Sequence, residues 1–360
     1  MDRHGCAVPA TARHEVGVAL YTGQAGDLRD APALAAAAEE AGFDSFWVSE
    51  HHGIPDGCLP APLVLLAALA GATSRIRLGT GLLLAPLHHP LRIAEDAAVV
   101  DRLSGGRLVL GLGLGYAEHE YRAFGVPAAG RGDRLESLLG MLRQAWTGEP
   151  FSAPGLGLHD VRVTPTPAGR IPVWLGGYAP RAVDRAGRLA DGHLVGRGEP
   201  GVIDDATTHL GAVRDPADPG FTRAVIVTVV LDEPGGGAAS ARSAFAAQQR
   251  MYESIQDGRN VYSGLTGTGT GGGGEDGDGA GGGLLLGSVD EYVQVAGSAD
   301  EVVRGIDAVF ERLSGWARVH VILRVLFPEP DPAVQLARIR TLGRDVLPRL
   351  AHRRAPVTPR

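Results

Sequence analysis

The chain has 360 residues, 44% of them hydrophobic and 21% charged, with a formal net charge of −7. That is enough apolar material for one large core. The acidic balance, with no stripe of Lys or Arg, argues against nucleic acid as a partner. Two cysteines, Cys6 and Cys58, make neither a disulfide framework nor a metal quartet. No stretch approaches the roughly 18 uninterrupted apolar residues of a membrane span. The first residues, MDRHGCAVPATARHE, lack the apolar run of a secretion signal. These features predict a cytoplasmic protein in a reducing compartment, with no membrane association.

Short apolar runs alternate with helix-like stretches along the chain. VGVALY (16–21) reads as a buried strand, followed by an Ala-rich helix over 32–42 that stops at Gly42. FDSFWVS (43–49) is strand-like and 61–73 helical. IRLGTGLLL (76–84) is a third strand, 91–103 a third helix ending before Gly105, and RLVLGLG (107–113) a fourth strand. The pattern continues as helix 134–146, strand 172–176, helix 181–190, strand 192–195, helix 203–213, strand 222–231 and helix 240–256. A helix over 299–313, a strand over 317–326 and a helix over 332–350 close the chain.

Eight strands in strand–helix units of roughly 30 residues predict a parallel α/β fold, the (β/α)8 TIM barrel, with its site at the C-terminal ends of the strands. An open doubly wound sheet is the alternative, and the missing GxGxxG after the first strand weighs against it. The expected organisation is a flexible tail over 1–14, one barrel domain over 15–352 and a C-terminal tail over 353–360. GLTGTGTGGGGEDGDGAGGG (264–283) cannot bury apolar area, so a disordered insertion is expected over about 258–287. It is either a solvated loop or a lid over the site.

Candidate chemistry collects at the predicted strand ends. Glu50, His51 and His52 follow the second strand, and two imidazoles beside a carboxylate can supply a general base near neutral pH. They can also be rim residues satisfied by the backbone. As metal ligands they lack a second spaced group in the same segment, so no metal is expected. A second pair, His88 and His89, follows the third strand, and His51, His52 and His89 are taken as the catalytic candidates. Gly111, Gly113 and Gly115 alternate at the end of the fourth strand, where missing side chains let a flat ligand approach. Tyr116 follows on the loop. In WLGGYAPRAVDRAG (174–187) a strand ends in Gly176–Gly177, and Pro180 suits a first helical turn whose free N–H groups form an anion site. Arg181, with Arg131 or Arg134 from another helix start, can add charged donors. The plainer alternative there is an ordinary turn with surface arginines.

The segments FDSFWVSEHHG (43–53), SRIRLGTGLLLAPLHHPLRIAED (74–96), LSGGRLVLGLGLGYAEHEYRAFG (103–125), IPVWLGGYAPRAVDRAG (171–187) and GSADEVVRGI (297–306), in this order, resemble the luciferase-like monooxygenases. The resemblance spans roughly 16–230 and 290–350. It implies reduced FMN supplied by a separate flavin reductase, O2 activation through a C4a-peroxyflavin and oxygenation of a small organic substrate. It also implies a homodimer paired through helices near the second and third strands. On this pattern His51 and His52 fall on the active-site histidine motif, and Gly81–Leu82 on a non-prolyl cis peptide beside the flavin ring. The backbone of Gly176, Gly177 and Tyr178, with Arg181, would hold the FMN phosphate. Two positions depart from luciferases, which carry a phosphate-binding arginine at Leu114 and a cysteine at Gly113. The phosphate clamp is then rebuilt, with Arg131 or Arg134 as replacements. The departure leaves hydride transfer with deazaflavin F420 and no O2 open as an alternative, and a flavin-binding protein without turnover is a second one.

Overall fold

A computed structural model describes residues 13–20, 28–53, 59–232, 294–326 and 331–351. Cys6, Cys58, the expected helix over 240–256, the Gly-rich segment and the C-terminal tail lie outside the described residues. The remaining expectation for the N-terminus shifts, because Arg13 and His14 already belong to the first strand.

All eight expected strands form: β1 (Arg13–Leu20), β2 (Ser45–Val48), β3 (Arg77–Thr80), β4 (Leu108–Gly113), β5 (Val173–Gly176), β6 (Gly192–Val195), β7 (Thr222–Leu231) and β8 (Arg318–Leu326). Each pairs in parallel with the next, and β8 returns to β1 with Gly17 opposite Ile322. The sheet is therefore a closed barrel and not an open one. The surrounding helices are α1 (Ala31–Glu40), α2 (Pro62–Ala72), α3 (Pro90–Ser104), α4 (Glu118–Phe124), α5 (Arg131–Ala145), α6 (Pro180–Leu189), α7 (Pro200–Gly211), α8 (Ala299–Arg312) and α9 (Pro332–Asp345).

Two indoles fill the barrel lumen. Trp47 from β2 and Trp174 from β5 stack with ring centroids 5.0 Å apart, and His320 from β8 meets both edge-on. So much volume fits because facing positions are glycine. A Cβ on Gly79 would lie 2.3 Å from Trp47 Cε3, and one on Gly192 would lie 2.6 Å from Trp174 Cδ1. The Trp47 indole N–H donates to Ser45 Oγ (2.6 Å), which also meets His320 Nε2 (2.7 Å). Glu15 and Arg77 complete this buried polar set. Burial pushes the Glu15 carboxyl up, but the His320 bond and the charges of Arg77, His320 and Arg13 outweigh it and hold it far below its ordinary range.

Three local differences from the sequence reading matter at the site. The expected strand over 76–84 is broken. Gly79 pairs with Val109, yet Leu83 pairs with Leu112, so β3 carries one more residue than β4 over this stretch. Thr80 bridges the break, its Oγ1 donating to Gly111 O (2.7 Å) and accepting from Gly111 N (2.9 Å). The Gly81–Leu82 peptide is cis, as the resemblance implied. Next, the stretch after Tyr116, read as loop, contains the short helix α4, closed by Gly125 at φ +66°. Finally, α5 begins at Arg131, one turn before the expected 134, which puts Arg131 and Arg134 in its first turn. A two-stranded antiparallel hairpin (Phe151–Ala153 and Leu158–Val161), not foreseen, lies between α5 and β5.

Candidate active site

The strand ends gather two buried carboxylates and the histidines that bond to them. Glu50 lies just beyond β2 and is 1% exposed. Its Oε1 accepts from His52 Nε2 (2.8 Å) and from His88 Nε2 (2.6 Å), and its Oε2 accepts from Leu84 N (2.5 Å). Burial pushes the Glu50 carboxyl up. The bonds from His52, His88 and Leu84 N–H, with the charge of His88, outweigh burial and hold it below the usual carboxylate range. Glu120 from α4, also buried, accepts from His52 N (2.9 Å) and lies 3.5 Å from His51 Nδ1. His119 Nε2 meets His52 O at 3.0 Å. His51 also faces Tyr116, with ring centroids 6.1 Å apart.

His51, His52 and Tyr116 are thus brought together as expected, and His88 joins them in place of His89. Successive side chains on extended backbone point to opposite sides. His88 turns inward to Glu50, and both it and His89 line a cavity of about 280 Å³ with Leu135 and Leu156. His89 turns outward, is exposed, and caps α3 by accepting from Leu91 N at 3.3 Å. The two carboxylates were the harder signal to read. Glu120 lies on a helix too short for periodicity to show, and the partnership of Glu50 with His88 joins two different strand ends. Glu50, His52 and His88 also offer three ligand atoms all within 4.8 Å of one another, a donor set that suits a zinc-class ion. In the structure both imidazoles bond to the carboxylate, so the trio forms a hydrogen-bonded hub.

The alternating glycines of β4 serve a neighbour within the chain. The extra residue in β3 projects Leu82 across the barrel mouth. A Cβ on Gly113 would lie 2.9 Å from Leu82 Cδ1, and one on Gly176 would lie 1.9 Å from it. Gly113 and Gly176 therefore form the notch that seats Leu82, and a flat ligand at this mouth would lie against Leu82 and the Gly81–Leu82 peptide.

The proposed phosphate turn has the backbone the sequence suggested, with different donors. β5 runs into Gly177, whose φ of +136° suits glycine, and then into α6 with Pro180 in its first turn. No side chain caps this helix at Ala179, which leaves its end suited to an anion. The Gly177 N–H is already donated to Leu194 O (3.3 Å). Pro180 has no N–H and Ala182 N is donated to Ala179 O (2.9 Å), so a phosphate at this turn would meet the Tyr178 peptide and the Arg181 end of α6. This backbone fits the phosphate of a flavin-type cofactor. Arg181 is on the exposed face of that turn. Arg197, which the sequence reading missed, comes from the end of β6 and lies over the Tyr178 ring at 5.6 Å, paired with Glu199 at 2.8 Å. Arg134 is committed elsewhere, since it donates to Ala129 O (2.8 Å) and Pro127 O and buckles that loop. Arg131 is buried over Tyr121, 5.8 Å from the ring centre.

Comparison with known proteins identifies a family. The description "Luciferase-like monooxygenase" covers residues 10–315. 4-Hydroxyprotoasukamycin monooxygenase of Streptomyces nodosus subsp. asukaensis is 28% identical over 297 residues, 79% of this chain and 77% of that protein. The F420-dependent glucose-6-phosphate dehydrogenase of Kineococcus radiotolerans is 35% identical over 191 residues, 51% of this chain and 56% of that protein. Among solved structures, a monooxygenase of Streptomyces bottropensis superposes with a TM-score of 0.71 at 21% identity, covering 94% of this chain and all of that one, and shares the fold. The chain belongs to the luciferase-like monooxygenase family.

Proposed function

We propose that this protein is the oxygenase of a two-component system, taking reduced FMN from a separate reductase and using O2 to oxygenate a small organic substrate. The observation that carries this reading is the likeness to 4-hydroxyprotoasukamycin monooxygenase across more than three quarters of both chains. When bound, reduced FMN supplies two electrons, so that one oxygen atom of O2 enters the substrate and the other leaves as water. The protein's own part is binding, orientation and proton handling. The turn at Tyr178 and α6 takes the phosphate, with Arg197 and Arg181 as charged neighbours. Leu82 and the Gly81–Leu82 peptide form the wall against which the ring system lies. His51, held between Glu120 and Tyr116, is the group placed to take or give a proton at its ring nitrogen. Glu50 fixes His52 and His88 and is the base of the network.

A second reading, hydride transfer with F420 and no O2, is favoured by the identity to the F420-dependent dehydrogenase over half the chain. Turnover of a candidate substrate under air with FMN and a reductase, compared with anaerobic turnover with F420, separates the two. Oxygen-dependent product supports the oxygenase, and anaerobic product with F420 alone replaces it.

The family resemblance also carries a homodimer and a cytoplasmic location into the proposal. Val64 on α2, with Val99 and Leu103 on α3, is apolar and exposed (73%, 43% and 58%), on two helices that pack together. These are the helices after β2 and β3, where pairing is expected. Among the described residues no helix is long and apolar enough to cross a membrane.

A further inference from the structure

Behind the phosphate turn, between the barrel and its outer helices, runs a buried polar chain that the proposed chemistry does not use. Arg223 on β7 is 0% exposed, and so is His193 on β6. Arg223 donates through NH2 to Thr207 Oγ1 (3.0 Å) and through NH1 to Ala224 O (3.0 Å), and its NH1 lies 3.3 Å from His193 Nδ1. His193 Nε2 lies 2.6 Å from Gly177 O. A guanidinium can only donate, so Nδ1 of His193 is the acceptor and Nε2 carries the proton given to Gly177 O. Burial, followed by the charge of Arg223, pushes the His193 imidazole down to about 3, which keeps it neutral and in this one tautomer.

Among the described residues this guanidinium has no carboxylate hydrogen-bond partner, so its burial is costly. The chain ends on the one carbonyl that sets the peptide plane between Gly177 and Tyr178, and that plane aims the Tyr178 N–H. We propose that His193 and Arg223 are positioning residues that hold the Gly177–Tyr178 peptide for recognition of the cofactor's phosphate, an inference that rests on the phosphate reading of this turn.

The test compares the protein's affinity for a phosphorylated cofactor with that for its phosphate-free counterpart. The pair is FMN and riboflavin, or, if a first titration shows F420 binding instead, F420 and its phosphate-free deazaflavin chromophore. His193→Phe keeps a ring but removes the donor, His193→Gln returns an N–H near the Nε2 position, and Arg223→Met removes the charge. Thermal melts confirm that each variant is folded. The expected result is that His193→Phe weakens binding of the phosphorylated form about tenfold, one charge-assisted hydrogen bond's worth, and changes the phosphate-free form by less than about twofold. His193→Gln recovers most of the loss, and Arg223→Met shows the same selective loss. A wild-type protein that discriminates the pair, with variants that keep the same ratio, overturns the positioning role alone. A wild type that binds both forms equally overturns the phosphate seat and this inference with it.

Discussion

Replacing Glu50 by glutamine perturbs the centre of the site with almost no change in shape. The carboxylate accepts three hydrogen bonds, from His52 Nε2, His88 Nε2 and Leu84 N. Bonds to a charged acceptor contribute about 1.5–3 kcal/mol each, and neutral ones about 0.5–1.5. Losing the charge on three bonds therefore removes roughly 3 kcal/mol. In addition, the glutamine N–H2 must face either the Leu84 N–H, a donor against a donor, or the two imidazoles, which must then change tautomer to accept. Relief from burying a charge offsets part of this, so the expected net loss is about 2 kcal/mol at pH 7. Urea unfolding of both proteins gives the difference. The pH dependence follows from the lowered carboxyl. Because the folded protein holds Glu50 below its ordinary value of 4.5, its contribution is fully present above that value. It is lost as the pH falls through the folded value. The Glu50 contribution to the gap between wild type and Glu50→Gln should be lost as the pH falls below about 4.5, so the gap narrows there. A gap under about 0.5 kcal/mol at pH 7, or one that widens below about pH 4.5, refutes the hub.

Other consequences are as direct. Gly79→Ala drives a methyl group into Trp47 and should destabilise the barrel by about 1–3 kcal/mol in chemical unfolding, whereas an unchanged midpoint would mean that the lumen packs otherwise. His88→Ala should slow coupled product formation at least about tenfold while His89→Ala changes it little, and the reverse order would restore His89 to the site. Arg134→Met should leave flavin affinity unchanged, because its guanidinium is occupied with the 127–130 loop; a marked loss would make it a phosphate arm. Leu103→Glu should shift the protein to a monomer in light-scattering chromatography if α2 and α3 form the dimer face, and an unchanged mass would place the interface elsewhere.

The barrel was legible because each strand is a short apolar run bounded by turn chemistry, and the eight recur at nearly constant spacing. Local signals of that kind survive in a single sequence. The break in β3 was not legible as such, since IRLGTGLLL reads as one run and only pairing with β4 exposes the extra residue. The same holds at the site. His51 and His52 are visible as a pair at a strand end. The choice between His88 and His89 depends on which side of an extended backbone faces Glu50, and sequence spacing cannot tell two neighbours apart. The glycines at 113 and 176 announce a close approach, but whether it comes from a ligand or from Leu82 is decided by the fold. Arg134 and Arg197 show the same limit with charge. A cation at a helix start suggested an anion site, yet Arg134 is spent on its own loop. Arg197 reaches the turn from a different strand.

In the proposed function this barrel mouth holds reduced flavin and directs its reaction with O2. Stopped-flow absorbance tests it most directly, with the protein first mixed with reduced FMN without air and then with O2. The expected result is retention of the reduced flavin and a transient absorbance band distinct from both reduced and oxidised FMN, with a lifetime shortened in His51→Ala. Reoxidation at the rate and with the spectrum of free FMN, with no flavin held by the protein, would contradict it.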